Sequence, residues 1–508
     1  METNFEMVAK TFGGLEEVLA GELRGLGAAD VTPGKRMVAF TGDKAMLYKA
    51  NMCCRTALRI LKPFYKFRAT DPDTLYDKIK DFDWSTIMDA GKTFSIDTVA
   101  YSDEFRNSQF VTYRVKDGIA DWFRDHSDDG SRPGVRLDGA DVQLNVHISG
   151  TDVTVSLDSS GESLHRRGYR VAQTDAPISE VLAAGIIMLS GWKGDVPFVD
   201  PMCGSGTFVI EAALIAANIM PGVFRKHFAF ETWPDFDREL FESIYNDDSA
   251  ERPVTVPIIG ADISPKAIAI ATENAKNAGV AANIELRQQP IARWTEAPAP
   301  AGVLVTNPPY GKRIGADDMN ALYSSIGRVL KHVFTGWNAW IIGYTDEYFR
   351  EIGLAPSQKI ALNNGGLDCE LREYVIFEGS KRDFRAGGGS IKDERSGDSR
   401  RDTGTRDRRF GDKRGDRDRR PYGRKPFDGE KPYGRKPFDG EKPYGRKPFG
   451  GKGGERRAEG DEPRERRPFD LSRLGRQPSI PADKEIVLRP AWRTRRHRTD
   501  DNTPNENN

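Results

Sequence analysis

The 508-residue sequence predicts an α/β chain: a Rossmann-like domain built on a parallel sheet, preceded by an α+β region and followed by a disordered tail. Three observations predict it. From about 174 to 378 short apolar runs alternate with helical patterns, and three of the runs end at a small or polar cluster, around Asp200, Asp262 and Asn307. In the first 158 residues strands and helices also alternate, but the last two strands are joined by a Ser-Gly-Thr turn in place of a crossover helix. From Lys381 onward Gly, Pro, Arg and Asp dominate, and such a segment cannot bury enough apolar area to offset its ordering entropy.

At the N-terminus, residues 5–9 read as a strand, 15–26 as a helix with apolar residues at helical spacing, 37–40 as a second strand and 44–52 as a helix. Further strands are expected at 93–100, 142–148 and 152–158, with a helix over 109–124. The lead-in helix of the third region covers 178–190. Residues 197–200 then form a strand that enters the Gly-rich turn Pro201-Met202-Cys203-Gly204-Ser205-Gly206-Thr207, followed by an apolar helix over 208–218. Glycines at the end of a parallel strand let backbone amides approach a ligand, and the next helix N-terminus favours negative charge. A phosphate-binding P-loop is excluded by the missing Gly-Lys-Ser/Thr, and the dinucleotide fingerprint by Val209 at its third glycine. Residues 257–262 form the next strand, ending in Asp262, where a carboxylate can accept from both hydroxyls of a ribose. A helix over 263–279 and a strand over 283–287 follow.

The run 302–306 leads into Asn307-Pro308-Pro309-Tyr310. An exocyclic amine on a base is a poor nucleophile because its lone pair is delocalised. The Asn307 side-chain oxygen and the Pro308 carbonyl can each accept one N–H of such an amine, Tyr310 can stack on the ring, and the two prolines stiffen the loop. A helix over 322–334, a strand over 340–344 and a hairpin of 359–363 with 372–377 complete the domain. The aromatic-rich insertion 218–254 either caps the site or forms a satellite core.

The order of these three motifs resembles class I S-adenosylmethionine-dependent methyltransferases, and Asn-Pro-Pro-Tyr resembles the amino-group methylases among them. Asp200-Pro-Met-Cys-Gly-Ser-Gly-Thr207, with 158–170 and 176–180 upstream, is more specific and is similar to THUMP-domain RNA methyltransferases, nearest the bacterial large-subunit rRNA guanine-N2 enzymes. The resemblance covers about 1–380. It implies a ferredoxin-like segment (1–43), a THUMP RNA-binding domain (44–158), a methyltransferase domain (159–380) and a basic tail (381–508). It also implies S-adenosylmethionine as cofactor, with Asp200, Pro201, Cys203, Gly204, Ser205, Gly206 and Thr207 lining it, Asp262 on its ribose and Ala176-Pro177 near its methionine end. Asn307, Pro308, Pro309 and Tyr310 would hold the guanine. The implied partner is structured RNA, large-subunit rRNA or its precursor particle. Many such enzymes place an Asp on the cofactor adenine where this chain has Gln288-Gln289. Some relatives carry a second methyltransferase domain where this chain has its polar tail. The residues alone also fit a tRNA guanine-N2 or an adenine-N6 methyltransferase, or an RNA-binding assembly factor without turnover.

Charge and composition agree with an RNA partner. The chain carries 76 basic and 76 acidic residues, but from Lys381 there are 37 against 24, a net of +13, leaving the first 380 residues at −13. In the tail an 11-residue unit beginning at Pro421 recurs from Pro432 and imperfectly from Pro443, each copy pairing Tyr and Phe with Arg-Lys, as in a stacking, salt-sensitive RNA tether. Residues 481–492 are a more apolar island within it. The expected RNA-facing residues of the body are Arg166, Arg167, Tyr169, Arg170, Arg106 and Arg114, with Tyr101, Lys116, Arg132 and Arg136 beside them; the 166–170 cluster equally suits interdomain packing with ion pairs. Four scattered cysteines and six scattered histidines have no metal-ligand spacing, so no metal is expected. Neither a signal peptide nor a membrane-length apolar run is evident, which suggests a cytoplasmic protein.

Overall fold

The computed structural model describes residues 4–175, 177–309, 316–344, 346–364 and 367–379. Ala176, Tyr310 and the whole tail from 380, with its repeats and its 481–492 island, therefore lie outside the described residues.

The N-terminal half is one eight-stranded sheet. Its first module comprises β1 (Phe5–Lys10), α1 (Glu16–Gly25), β2 (Ala29–Gly34), β3 (Met37–Gly42), α2 (Lys44–Cys53) and β4 (Arg59–Arg68). Its second comprises α3 (Pro72–Asp81), β5 (Thr93–Tyr101), α4 (Ser108–His126), β6 (Gly134–Val135), β7 (Val142–Ser149) and β8 (Asp152–Asp158). The strands run in the order β2-β3-β1-β4-β8-β7-β5-β6, so β4 belongs to both modules. β1 and β8 lie antiparallel on its two sides, while β5 is parallel to β7 and β6.

β4 is a strand that the sequence reading does not name, and it carries Pro63 in its middle. The register slips between Pro63 and Tyr65, and that bulge accommodates the missing donor. The expected end of the first module at 43 needs correction. Met46, Leu47, Tyr48, Ala50 and Met52 of α2 and Ile60 of β4 share a core with Met7, Leu19, Leu23 and Phe40.

The C-terminal region contains α5 (Glu180–Leu189), β9 (Phe198–Asp200), α6 (Thr207–Ala216), α7 (Arg238–Tyr245), β10 (Ile258–Asp262), α8 (Pro265–Asn277), β11 (Glu285–Gln288) and β12 (Val303–Thr306). It ends with α9 (Ala316–His332), β13 (Asn338–Gly343), α10 (Asp346–Glu351), β14 (Gln358–Asn364) and β15 (Leu367–Val375). The sheet order is β11-β10-β9-β12-β13-β15-β14, with β9 to β13 parallel and the last two strands antiparallel. Strand order reverses direction at β9, which lies between β10 and β12. In doubly wound sheets the ligand crevice opens at the carboxyl ends of the strands at such a switch point. β9 and β12 are buried on both faces by α5, α6 and α9, which explains their unbroken apolar sequences.

Residues 218–254 form a satellite core. Phe228, Phe230, Trp233, Phe241 and Tyr245 pack on Tyr48 and the first module, with the Tyr48 and Phe230 rings 4.6 Å apart. None of these aromatics reaches the crevice.

Candidate active site

The glycine turn after β9 is set by backbone conformation. Gly204 and Gly206 have φ of 54° and 84°, in the left-handed region where a side chain is strained. Asp262 at the end of β10 fastens the turn: its Oδ2 accepts from Gly204 N at 2.9 Å and its Oδ1 from Ser264 N at 2.8 Å. Asp200 at the end of β9 joins the turn to the other loop. Its Oδ1 accepts from Met202 N at 3.1 Å and from the Thr306 hydroxyl at 2.9 Å, one residue before Asn307. Its Oδ2 has no hydrogen-bond partner among the described residues.

These elements enclose a cavity of about 820 Å³. Asp200, Pro201, Cys203, Gly204, Ser205, Thr207, Asp262 and Pro177 line it, as do Asn307, Pro308 and Pro309 at its other end. Thr174, Asp175, Ile178, Ile263, Ser264, Pro290, Ile291, Asp318 and Leu322 line it as well. Gly206 does not. It caps α6, and a Cβ there would lie 2.9 Å from Ala271 Cβ, so it is required by packing. Gln288 and Gln289 are also off the wall. Pro290 and Ile291 occupy that side and make it apolar. Asp318 and Leu322 were not foreseen, since they come from α9, beyond the Asn-Pro-Pro loop.

Electrostatics narrow the ligand. The described lining residues include Asp175, Asp200, Asp262 and Asp318 but no Lys or Arg. A diphosphate would be repelled, whereas a cation is favoured. Burial, helped by the charge of Asp262, pushes the Asp200 carboxyl up to about 7. Burial likewise raises the Cys203 thiol well above its usual value, with Asp200 and Asp262 adding to the effect, so it is no thiolate nucleophile. Among the described residues no group of His, Cys, Asp and Glu is placed to hold a metal ion.

The expected RNA clamp at 166–170 is corrected by burial. Arg167 and Tyr169 are 2 % and 1 % exposed. The Tyr169 hydroxyl donates to Glu211 of α6 at 2.9 Å, the Arg167 guanidinium lies 3.6 Å from the same carboxylate, and it also donates to the carbonyls of Leu164 and Arg55. Arg170 points inward onto Glu180, Ser205 and Thr207. These groups join the modules. Arg225 completes the junction by donating to the carbonyls of Ser160, Glu162, Ser163 and Arg166. Of the arginines and the tyrosine of the cluster, Arg166 alone is exposed, paired with Glu162. Arg114 is also engaged internally: it pairs with Asp73 at 2.7 Å and lies over Tyr76, tying α4 to α3. Arg106, Arg132, Arg136 and Tyr101 are exposed.

Comparison with known proteins accounts for this arrangement. A model described as an RMKL-like methyltransferase domain matches residues 167–373, an RlmL ferredoxin-like domain 6–61 and a THUMP domain 69–158. The chain is 39% identical over 367 residues to the "Putative RNA methyltransferase" of a Synechocystis strain, covering 72% of this chain and 95% of that one. This chain belongs to that family of THUMP-containing class I methyltransferases. It is 37% identical over 391 residues to ribosomal RNA large subunit methyltransferase K/L of Syntrophotalea carbinolica, covering 74% of this chain and 54% of the relative. The chain thus spans about half the length of the K/L relatives it matches. Among solved structures, a putative methyltransferase complexed with SAH is 31% identical, with a TM-score of 0.66 over 75% of this chain and 100% of the other. The family uses S-adenosylmethionine, and the acidic cavity suits its positive charge. Among the described residues, no helix is long and apolar enough to cross a membrane.

Proposed function

We propose that the chain methylates the N2 amine of a guanine in large-subunit rRNA, with S-adenosylmethionine bound in the acidic cavity. One observation carries the reading: the Asn307-Pro308 loop stands at one end of a cation-suited cavity and is tied to the glycine turn through the Thr306–Asp200 hydrogen bond. S-adenosylmethionine supplies an electrophilic methyl group when bound. Asp262 would hold its ribose, the Gly204 turn its carboxylate, and the unpaired Asp200 Oδ2 its cationic end.

The chain's own residues do the positioning. Asn307 Oδ1 and the Pro308 carbonyl accept the two N–H groups of the amine and turn its lone pair out of the ring plane. Tyr310, outside the described residues, would stack on the base. As the N–C bond forms the amine becomes acidic, and its proton leaves to these acceptors or to water, so no strong base is needed. The buried, protonated Cys203 takes no covalent part. Exposed Tyr101, Arg106, Arg132 and Arg136 on the THUMP module are the surface for structured RNA, and the site of action would be the cytoplasm.

The test is methyl transfer from labelled S-adenosylmethionine into separate pools of unmodified large-subunit rRNA, small-subunit rRNA, tRNA and duplex DNA, with nucleoside mass spectrometry. N2-methylguanosine confined to the large-subunit rRNA supports the reading. N6-methyladenine, or label in tRNA or DNA, overturns the substrate while keeping the chemistry.

A further inference from the structure

Two side chains outside the cavity, the fully buried Asn274 and the mostly buried Arg170, bond to one of its walls. Residues 174, 175, 177 and 178 reach the cavity on the chain segment that leaves the interdomain junction. At its start, Arg170 Nη1 donates to the Ser205 hydroxyl at 2.9 Å and Nη2 to the Thr207 hydroxyl at 2.8 Å. Nη2 also reaches the Ile178 carbonyl at 3.3 Å, and Nε pairs with Glu180 at 2.7 Å. One planar fork therefore spans the glycine turn and both ends of the 170–180 segment.

Asn274 does the same from α8. It is fully buried; its Oδ1 accepts from Val171 N at 3.0 Å and Ala172 N at 3.4 Å, and its Nδ2 donates to the carbonyls of Ala172 at 2.9 Å and Ser205 at 3.0 Å. Neither Arg170 nor Asn274 lines the cavity. Both bond simultaneously to the segment and to the turn, and a Cβ on Gly204 would meet Thr174 Oγ1 at 3.6 Å, so the two walls face each other closely.

We infer that Arg170 and Asn274 are positioning residues for cofactor capture, fixing residues 174, 175, 177 and 178 against the glycine turn. This rests on the cofactor lying in the cavity. The geometry is specific to the residue types. A lysine ammonium at 170 has no rigid fork and cannot reach Glu180, Ser205, Thr207 and the Ile178 carbonyl together. At 274 an amide is required, because one side chain must accept twice and donate twice, and a hydroxyl has only one proton to give.

The experiment measures S-adenosylhomocysteine binding by calorimetry, and KM and kcat for S-adenosylmethionine, on the full chain and on Arg170→Lys, Arg170→Ala and Asn274→Ala. Expected is a ten- to hundredfold loss of cofactor affinity, on the order found when a binding element is misplaced by about 1 Å. That loss should appear in KM, with kcat at saturation within about threefold and RNA affinity unchanged. Added guanidinium should recover binding in Arg170→Ala but not in Asn274→Ala, which no general loss of folding would reproduce. Unaltered affinity in Arg170→Lys and Asn274→Ala, or kcat and KM effects in Arg170→Ala that added guanidinium does not touch, would overturn the inference. If the unsubstituted protein fails to bind S-adenosylhomocysteine, the cavity assignment falls first and the inference with it.

Discussion

Replacing Asp200 by Asn should abolish a proton release that accompanies cofactor binding. The carboxyl is 1 % exposed and stands near 7 against an ordinary 3.8, with burial the main cause and Asp262 adding to it. A cation beside Oδ2 favours the ionised form and pulls that value down. At pH 6.5 roughly three quarters of the free protein would carry the proton, so binding should release about 0.7 proton, falling below about 0.1 at pH 8.5. Affinity should rise roughly fifteenfold between pH 5.5 and 7, as the ionised fraction grows from about 3% to about half. Calorimetry at pH 6.5 in two buffers of different ionisation enthalpy reads the proton count directly. Asp200→Asn keeps an acceptor for Met202 N and Thr306 but cannot ionise, so its binding should be weaker and independent of buffer. The same reasoning governs stability. A carboxyl whose folded value is raised costs nothing below about pH 4, costs progressively more up to about pH 7, and a constant amount above it. Asp200→Asn should therefore stabilise the free protein by a few kcal/mol at pH 8 and by clearly less at pH 5. Equal proton release by both proteins would refute the assignment of Asp200 to the cationic end of the ligand.

Asn307→Ala should lower kcat by about 10²–10³ while cofactor affinity stays within about threefold, as expected for a group aimed at the reacting amine; equal losses in both would remove it from that role. Gly206→Ala should destabilise the domain by about 2–4 kcal/mol, from the left-handed backbone and the contact with Ala271, measurable as a fall in thermal midpoint. Removing 381–508 should leave cofactor binding intact, weaken RNA binding mostly at low salt and flatten its salt dependence; an unchanged dependence would dispose of the tether.

The catalytic elements were readable because burial leaves a clear trace in them. β9, β10 and β12 are apolar runs that stop at Asp200, Asp262 and Asn307, and the site lies where they stop. β2 escaped notice because Asp30, Pro33 and Gly34 give it the composition of a turn, and Asp30 does have a φ of 51°. The 166–170 cluster stays open between two readings in the sequence for a deeper reason. Arginines beside an aromatic form the same pattern whether they grip RNA or neutralise a buried carboxylate, and the deciding partner, Glu211, is 42 residues from Tyr169. A signal for it did exist: Glu211 is the one charged residue in the otherwise apolar helix Thr207–Ala216. Asn274 gave no comparable sign, since polar residues surround it in sequence.

Because β4 runs uninterrupted from the first module into the second, the two have no hinge between them. Two separately tethered pieces could bend to fit many partners. A single plate, bolted to the catalytic region through Arg167, Glu211 and Arg225, instead keeps Tyr101 at a set span from Asn307. Under the proposed function such a plate would work as a ruler, the nucleotide presented for reaction being chosen by its distance along a folded partner.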